Sequence, residues 1–154
     1  MSLEEKLLND YKEAMKAKDA LKAGALSFLR AELINVAMAK KKKALDDAEV
    51  IVVVRKQIKA RQDSIEQFKK GNRLDLAEKE SKEQEILKEY LPAQLSEEEI
   101  KKIIEEIVAS VGAQDMKDMG RVMKEVSAKV GQSADGKIVS DLVKARLAKP
   151  VSSA

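Results

Sequence analysis

Apolar residues recur at spacings of three and four from Leu3 to Leu147, and that one period constrains the fold more than any other feature of the chain. It is the period of one face of an α-helix, whereas a half-buried strand alternates every second residue. Two prolines and six glycines in 154 residues leave few places to interrupt the pattern. Collagen-like, linker-like and turn-rich sheet architectures are therefore excluded. The length suits one domain or two small ones.

Seven helical segments follow from the pattern. The first covers Leu3 to about Lys18, with Leu3, Leu7, Tyr11, Ala14 and Met15 on or near one face. The second runs from about Leu21 to Lys42 on Leu26, Leu29, Leu33, Ile34 and Ala37, with Gly24 weakening its first turn by about 1 kcal/mol relative to alanine. The third starts near Asp46 or Asp47 and carries Ile51, Val54, Ile58, Arg61, Ile65 and Phe68. Its β-branched block Ile51-Val52-Val53-Val54 reads as helix because Ala48-Glu49 and Arg55-Lys56-Gln57 continue the helical pattern on either side. Gly71, after Lys69 and Lys70, is placed as its C-terminal stop. Leu74 to Tyr90 forms an acidic fourth helix with sparse apolar contacts. The two long central helices are expected to pack as a hairpin.

Leu91-Pro92 marks a boundary, because proline removes a donor and pushes the preceding residue out of the helical region. Ser96 with Glu99 then forms a capping box, and Leu95 with Ile100 is spaced for a hydrophobic staple. The fifth helix carries Ile100, Ile103, Ile104, Ile107, Val108 and Val111 and stops at Gly112. A sixth begins around Asp115 to Asp118 and uses Met119, Val122, Met123, Val126 and Val130. A seventh, capped by Asp135, uses Ile138, Val139, Leu142, Val143 and Leu147 and ends by Pro150. The expected architecture is all-α: a long-helix hairpin region over residues 1–91 and a small three-helix domain over residues 95–149.

Composition narrows the chemistry. The chain has no histidine and no cysteine, so a His-based triad, a cysteine nucleophile, a disulfide, a zinc finger and haem ligation are all out of reach. No carboxylate cluster suggests a metal, and no cofactor is expected. Glu78 and Glu85 could in principle do acid–base work, but Glu97 to Glu99 lie in a helix first turn where negative charge is favourable without any catalytic duty. Binding is the better expectation. Met1 to Lys6 contains no apolar signal core and the longest apolar block is Val50 to Val54, so neither secretion nor membrane insertion is expected and the cytoplasm is the default compartment.

The formal charge of +3 conceals a polarised chain, basic over residues 1–70, acidic over 71–110 and basic again to the end. Lys40-Lys41-Lys42-Lys43 is its densest feature; such a cluster either contacts phosphates or offsets a helix dipole. Arg55 and Lys59 share one helical side with Gln62, and Asp63 and Glu66 interrupt the surface beyond them. Base stacking is poorly provided for, because Tyr11, Phe28, Phe68 and Tyr90 are better placed as core or interhelix residues. Gly131 to Lys137 resembles a small anion-binding turn but lacks the spacing of a nucleotide phosphate loop; the simpler reading is a helix-to-helix turn capped by Asp135.

Several stretches together carry a family resemblance. They are Arg55 to Ser64, Phe68-Lys69-Lys70-Gly71-Asn72-Arg73-Leu74-Asp75-Leu76, and Glu83 to Ser96 with its central Leu91-Pro92-Ala93-Gln94-Leu95-Ser96. In the C-terminal part they are Asp118-Met119-Gly120-Arg121-Val122-Met123 and Ala134-Asp135-Gly136-Lys137-Ile138-Val139. On these the chain resembles the YqeY family, of GatB/YqeY-domain proteins, over nearly its whole length. Its C-terminal part is similar to the tail domain of the aspartyl/glutamyl-tRNA amidotransferase B subunit. Two stretches depart from the family pattern, Val130-Gly131-Gln132-Ser133 and Ala23-Gly24-Ala25.

The resemblance implies a non-catalytic accessory protein that associates with tRNA or another RNA. The alternatives are a helical protein-interaction module and an accessory part of glutamine-dependent amidotransferase, a carbon–nitrogen ligase activity. Phosphate contacts in the C-terminal domain are expected from Arg121, Lys124, Lys137, Lys144 and Arg146, with Lys40, Lys41, Lys42, Lys43, Arg55 and Lys59 extending the footprint. Gly120 and Gly136 are expected to permit tight turns or close approach. The partners to expect are tRNA and an amidotransferase subunit or another protein, with no membrane and no DNA specificity.

Overall fold

The computed structural model describes residues 1–148. The described residues form seven α-helices and no strand: α1 (Leu3–Lys16), α2 (Ala20–Ala39), α3 (Asp47–Lys70), α4 (Leu74–Lys88), α5 (Glu97–Val111), α6 (Met119–Val130) and α7 (Gly136–Ala148). A short 3-10 turn, Met116–Asp118, leads into α6, and another, Gly131–Ser133, follows it. The chain divides into two compact units, Met1–Leu91 and the residues from Pro92 onward. The expected domain end at Lys149 and the stop at Pro150 lie outside the described residues.

In the first unit α2 and α3 touch, and each also has a shorter partner: α1 lies along α2, and α4 packs extensively along α3. The buried cluster draws on all four helices through Leu7, Leu26, Leu29, Leu33, Val50, Val54 and Leu87, closed by Tyr90. Burying each such side chain contributes roughly 1.5–3 kcal/mol. The β-branched block is helical, with Val50, Val53 and Val54 inside and Val52 outside. Four residues expected on buried faces are instead exposed: Met15, Phe28, Ile34 and Ile138. For Phe28 and Ile34 the reason is composition. α2 is apolar around most of its circumference, and the α1, α3 and α4 contacts cover one side of it.

Three helices of this unit end in the same way. After α1, α2 and α3 the chain passes through a left-handed residue, Lys18, Lys41 and Asn72, each with φ near +57°. The next N–H then returns five residues, from Asp19 to the Ala14 carbonyl, Lys42 to Ala37 and Arg73 to Phe68. This is the Schellman closure, normally built on glycine because a side chain there is strained. Gly71, expected to be the stop of α3, precedes the left-handed residue and has φ −84°. The reversal falls on Asn72, whose amide-bearing side chain tolerates that region better than most.

The second unit closes its own core. Ile100, Ile104 and Val108 of α5 meet Val122 and Val126 of α6 and Val139, Val143 and Leu147 of α7, with Leu95 packed against the same cluster. Ser96 caps α5 in a full capping box with Glu99, so the Glu99 carboxylate serves the helix end, while Glu97 pairs with Lys101 one turn on. Gly112 ends α5 in the left-handed region, φ +68°.

Candidate polyanion-binding surface

The lysine run lies in the turn that closes α2. The Schellman reversal at Lys41 brings Lys40 and Lys42 to the first turn of α3, where Glu49 waits. Lys40 Nζ lies 2.7 Å from Glu49 Oε2 and Lys42 Nζ 2.6 Å from Glu49 Oε1. Glu49 is itself fixed: Asp46 and Glu49 form a capping box, with the Glu49 N–H donating to Asp46 Oδ1 at 2.8 Å and the Asp46 N–H donating to Glu49 Oε1 at 3.2 Å. The two ammonium groups and that N–H hold the Glu49 carboxyl down to about 2, with Lys40 the largest cause. Lys42 is correspondingly raised by Glu49.

Lys41 and Lys43 are exposed, and among the described residues no carboxylate pairs with either. Lys43 also lines a groove of about 280 Å³ with Arg30, Glu4, Glu5 and Ile34, and the Arg30 guanidinium stacks on the Tyr11 ring at 5.0 Å. On α3, Lys59 is exposed and Arg55 is half-buried.

In the second unit the five expected contacts separate into two groups. Arg121 Nη2 pairs with Asp118 Oδ1 at 2.9 Å, one turn earlier, and Arg146 pairs with Glu105 of α5. Lys124, Lys137 and Lys144 are exposed, and among the described residues no ion pair engages their side chains. Lys137 and Lys144 are seven residues apart on α7, hence on one helical side about 10 Å apart along its axis, with Asp141 between them in the same row. Asp135 Oδ1 accepts from the Lys137 N–H at 3.0 Å, so Gly131 to Lys137 is a capped helix connection. Gly120 and Gly136 both lie in helices, and a Cβ at either would meet nothing within 4 Å. Neither is required by a turn or by the protein's own packing.

Two features escaped sequence reasoning. One is Glu49, whose lysine partners precede it by nine and seven residues. The other is a charged triad between α3 and α4. Arg61, only 9% exposed, pairs through Nη1 with Glu80 Oε2 at 3.0 Å and with Glu83. Beside it Gln84 Nε2 donates to the Ile58 carbonyl and to Gln62 Oε1. The signal for the triad was an arginine occupying a position on the buried stripe of α3, opposite carboxylates three residues apart on α4. Glu78 and Glu85, the pair weighed from the sequence, make surface ion pairs with Lys82 and Lys88.

Among the described residues, fold and surface define an all-helical protein of two compact units, each bearing basic side chains that no carboxylate engages. The chain belongs to the Yqey-like protein family, whose model matches residues 4–147. It is similar to an uncharacterised protein of Schizosaccharomyces pombe, 38% identical over 54% of this chain and 68% of that one. It is also similar to the altered inheritance of mitochondria protein 41, mitochondrial, of Pyrenophora tritici-repentis, 32% identical over 88% of this chain and 75% of the other. The protein of that name from Lachancea thermotolerans is 41% identical over 55% of this chain, which there spans 46% of its relative. The cytoplasmic placement expected from the sequence is overturned by the Pyrenophora and Lachancea relatives, both named mitochondrial. Among the described residues no helix is long and apolar enough to cross a membrane.

Proposed function

We propose that the protein is an RNA-binding accessory factor, with tRNA the favoured ligand, that holds the phosphate backbone through lysines and contributes no chemistry of its own. The observation that carries the reading is the set of exposed lysines on α6 and α7, namely Lys124, Lys137 and Lys144, that make no ion pair among the described residues. Lysines without a carboxylate partner can neutralise phosphates and release counterions at no cost in broken ion pairs. Arg121 and Arg146 contribute less, because each must first leave Asp118 or Glu105. The resemblance of the second unit to the tail of a tRNA-dependent amidotransferase subunit supports tRNA over other polyanions.

The test is filter binding of tRNA across a salt series. Wild-type protein should lose affinity linearly in log salt, and the Lys124→Gln/Lys137→Gln/Lys144→Gln variant should flatten the slope by about 2–3. A wild-type protein that binds tRNA no better than this triple variant at low salt rules the reading out.

A second reading has its own observation. The outer face of α2 presents Phe28, Ile34 and Met38, 65%, 54% and 71% exposed, with Gly24, Ser27 and Ala31 on the same side and no charged residue of α2 in the row; the Arg61 guanidinium of α3 stands over the Phe28 ring at 5.8 Å. Such a face suits a helical protein partner, an amidotransferase subunit included. Cross-linking at Ala31 that captures one defined protein from native extract would favour it.

A further inference from the structure

We propose that Glu49 is an intramolecular competitor for the lysine run, occupying Lys40 and Lys42 with one carboxylate and leaving Lys41 and Lys43 as the residues of that run which meet an incoming anion. The inference rests on reading the basic surface as a polyanion site, and it concerns how that site is regulated.

Three features of the turn carry it. First, the carboxylate is pre-positioned. The Asp46–Glu49 capping box fixes the glutamate at both its N–H and its Oε1, and its side chain is only 14% exposed. It does not have to be ordered each time a lysine reaches it, which removes the glutamate's share of the entropy cost that weakens ordinary surface ion pairs and leaves only that of the lysines. Second, its two oxygens are divided between two ammonium groups, one each, as two non-bridging phosphate oxygens would be. A phosphate approaching Lys40 or Lys42 offers what Glu49 already supplies. Third, the reversal at Lys41 sets the alternation. With the left-handed residue at 41 and the Lys42 N–H returned to the Ala37 carbonyl, the residues on either side of Lys41 are turned to one carboxylate.

Of the neighbouring acids, Asp46 adds its charge to the hold of Glu49 on Lys42, and no neighbouring acid pairs with Lys41 or Lys43 among the described residues. Asp46 Oδ1 is taken by the Glu49 N–H and Asp47 Oδ1 by the Leu3 N–H at 2.9 Å. Glu4 and Glu5 line the groove that Lys43 and Arg30 share, and Glu5 is held in the capping box of α1.

Glu49→Gln isolates the charge, since glutamine serves equally at that capping-box position. The probe is single-stranded oligouridylate, titrated over a salt series against wild-type protein, Glu49→Gln, Lys40→Gln/Lys42→Gln and the combined triple variant, with circular dichroism confirming that each folds. Glu49→Gln should tighten binding on the order of tenfold at low salt and steepen the salt slope by about 1.4, the contribution of two more phosphate contacts on a single strand. The Lys40→Gln/Lys42→Gln change should cost little in the wild-type background and remove the whole gain in the Glu49→Gln background. Equal losses in both backgrounds, or an unchanged slope in Glu49→Gln, would overturn the proposal; so would failure of both wild type and Glu49→Gln to bind the probe.

A readout without RNA separates this inference from the tRNA reading. Acetylation by an amine-reactive ester, followed by mass spectrometry, should modify Lys41 and Lys43 faster than Lys40 and Lys42 in wild type, and all four alike in Glu49→Gln. Four equal rates in wild type would sink the competitor role even if tRNA binds. The alternating rates together with absent tRNA binding would leave the competitor standing and remove tRNA as the ligand.

Discussion

Tyr90 donates its phenolic hydrogen bond to Asp10 Oδ2 at 2.6 Å, joining residues 80 apart in sequence. The contact ties the chain just beyond α4 back onto α1 and completes the first unit's core, with Lys6 Nζ 5.3 Å from the same ring.

Burial, and then the Asp10 carboxylate, raise the Tyr90 phenol well above its usual 10. The folded chain therefore keeps a proton that the unfolded chain releases. The stabilisation is complete below pH 10 and declines as pH rises beyond it. Phenolate absorbance from Tyr90 should appear only as the unit unfolds, and Tyr90→Phe should abolish that component. The same variant should cost about 1.5–3 kcal/mol at neutral pH by urea unfolding, the range for a hydrogen bond to a charged partner.

Arg61 is buried with two carboxylates, so removing it leaves Glu80 and Glu83 facing each other without compensation. Arg61→Met should destabilise the protein by roughly 3–5 kcal/mol. Adding Glu80→Gln and Glu83→Gln should recover most of that loss, because the cost lies in the uncompensated charges. Chemical denaturation of the single and triple variants measures the coupling.

Glycine is distributed unevenly with respect to backbone need. Gly112 occupies the left-handed region after α5, and Gly112→Ala should lower stability by about 1–2 kcal/mol. Lys18 occupies the same region after α1 with a side chain in place, so Lys18→Gly should raise stability by about 1 kcal/mol. Gly24, in the interior of α2 with nothing near its Cβ position, should accept alanine with a gain of about 1 kcal/mol. Thermal unfolding of the three variants gives the signs.

Glu49 yields a pH dependence of opposite sense to that of Tyr90. Its carboxyl falls from the ordinary 4.5 to about 2 in the folded protein. The stabilisation it provides is present above pH 4.5 and is lost as pH falls through about 2. Carbon-detected titration of the side-chain carboxyl should place its midpoint near 2, and Lys40→Gln/Lys42→Gln should move that midpoint upward.

The helices were legible because most of them bury a stripe that the three-and-four spacing encodes, as Ile100, Ile104 and Val108 do in α5. The pattern fails where the helix is apolar on more than one side. Nothing in the spacing of α2 distinguishes Leu33, which is buried, from Ile34, which is not. The caps at Ser96 and Asp135 were legible because their acceptors lie two or three residues from the donors they satisfy. The pairing of Lys40 and Lys42 with Glu49 was not legible, because it depends on a left-handed lysine at 41. Residue preference points to glycine or asparagine at such a position, so the sequence gives no warning of the reversal. The basic residues could be enumerated from the sequence, but which of them a carboxylate already occupies is a property of the folded surface.

Among the described residues the second unit's buried cluster runs from Ile100 to Leu147 and is built from side chains of that unit. A core built in this way should behave as an inheritable cassette. A recombination event that breaks the gene near the Pro92 codon can carry the three-helix bundle intact into an unrelated chain. The recipient then acquires a complete lysine-bearing surface in one step, and its own interior need not change to accommodate it.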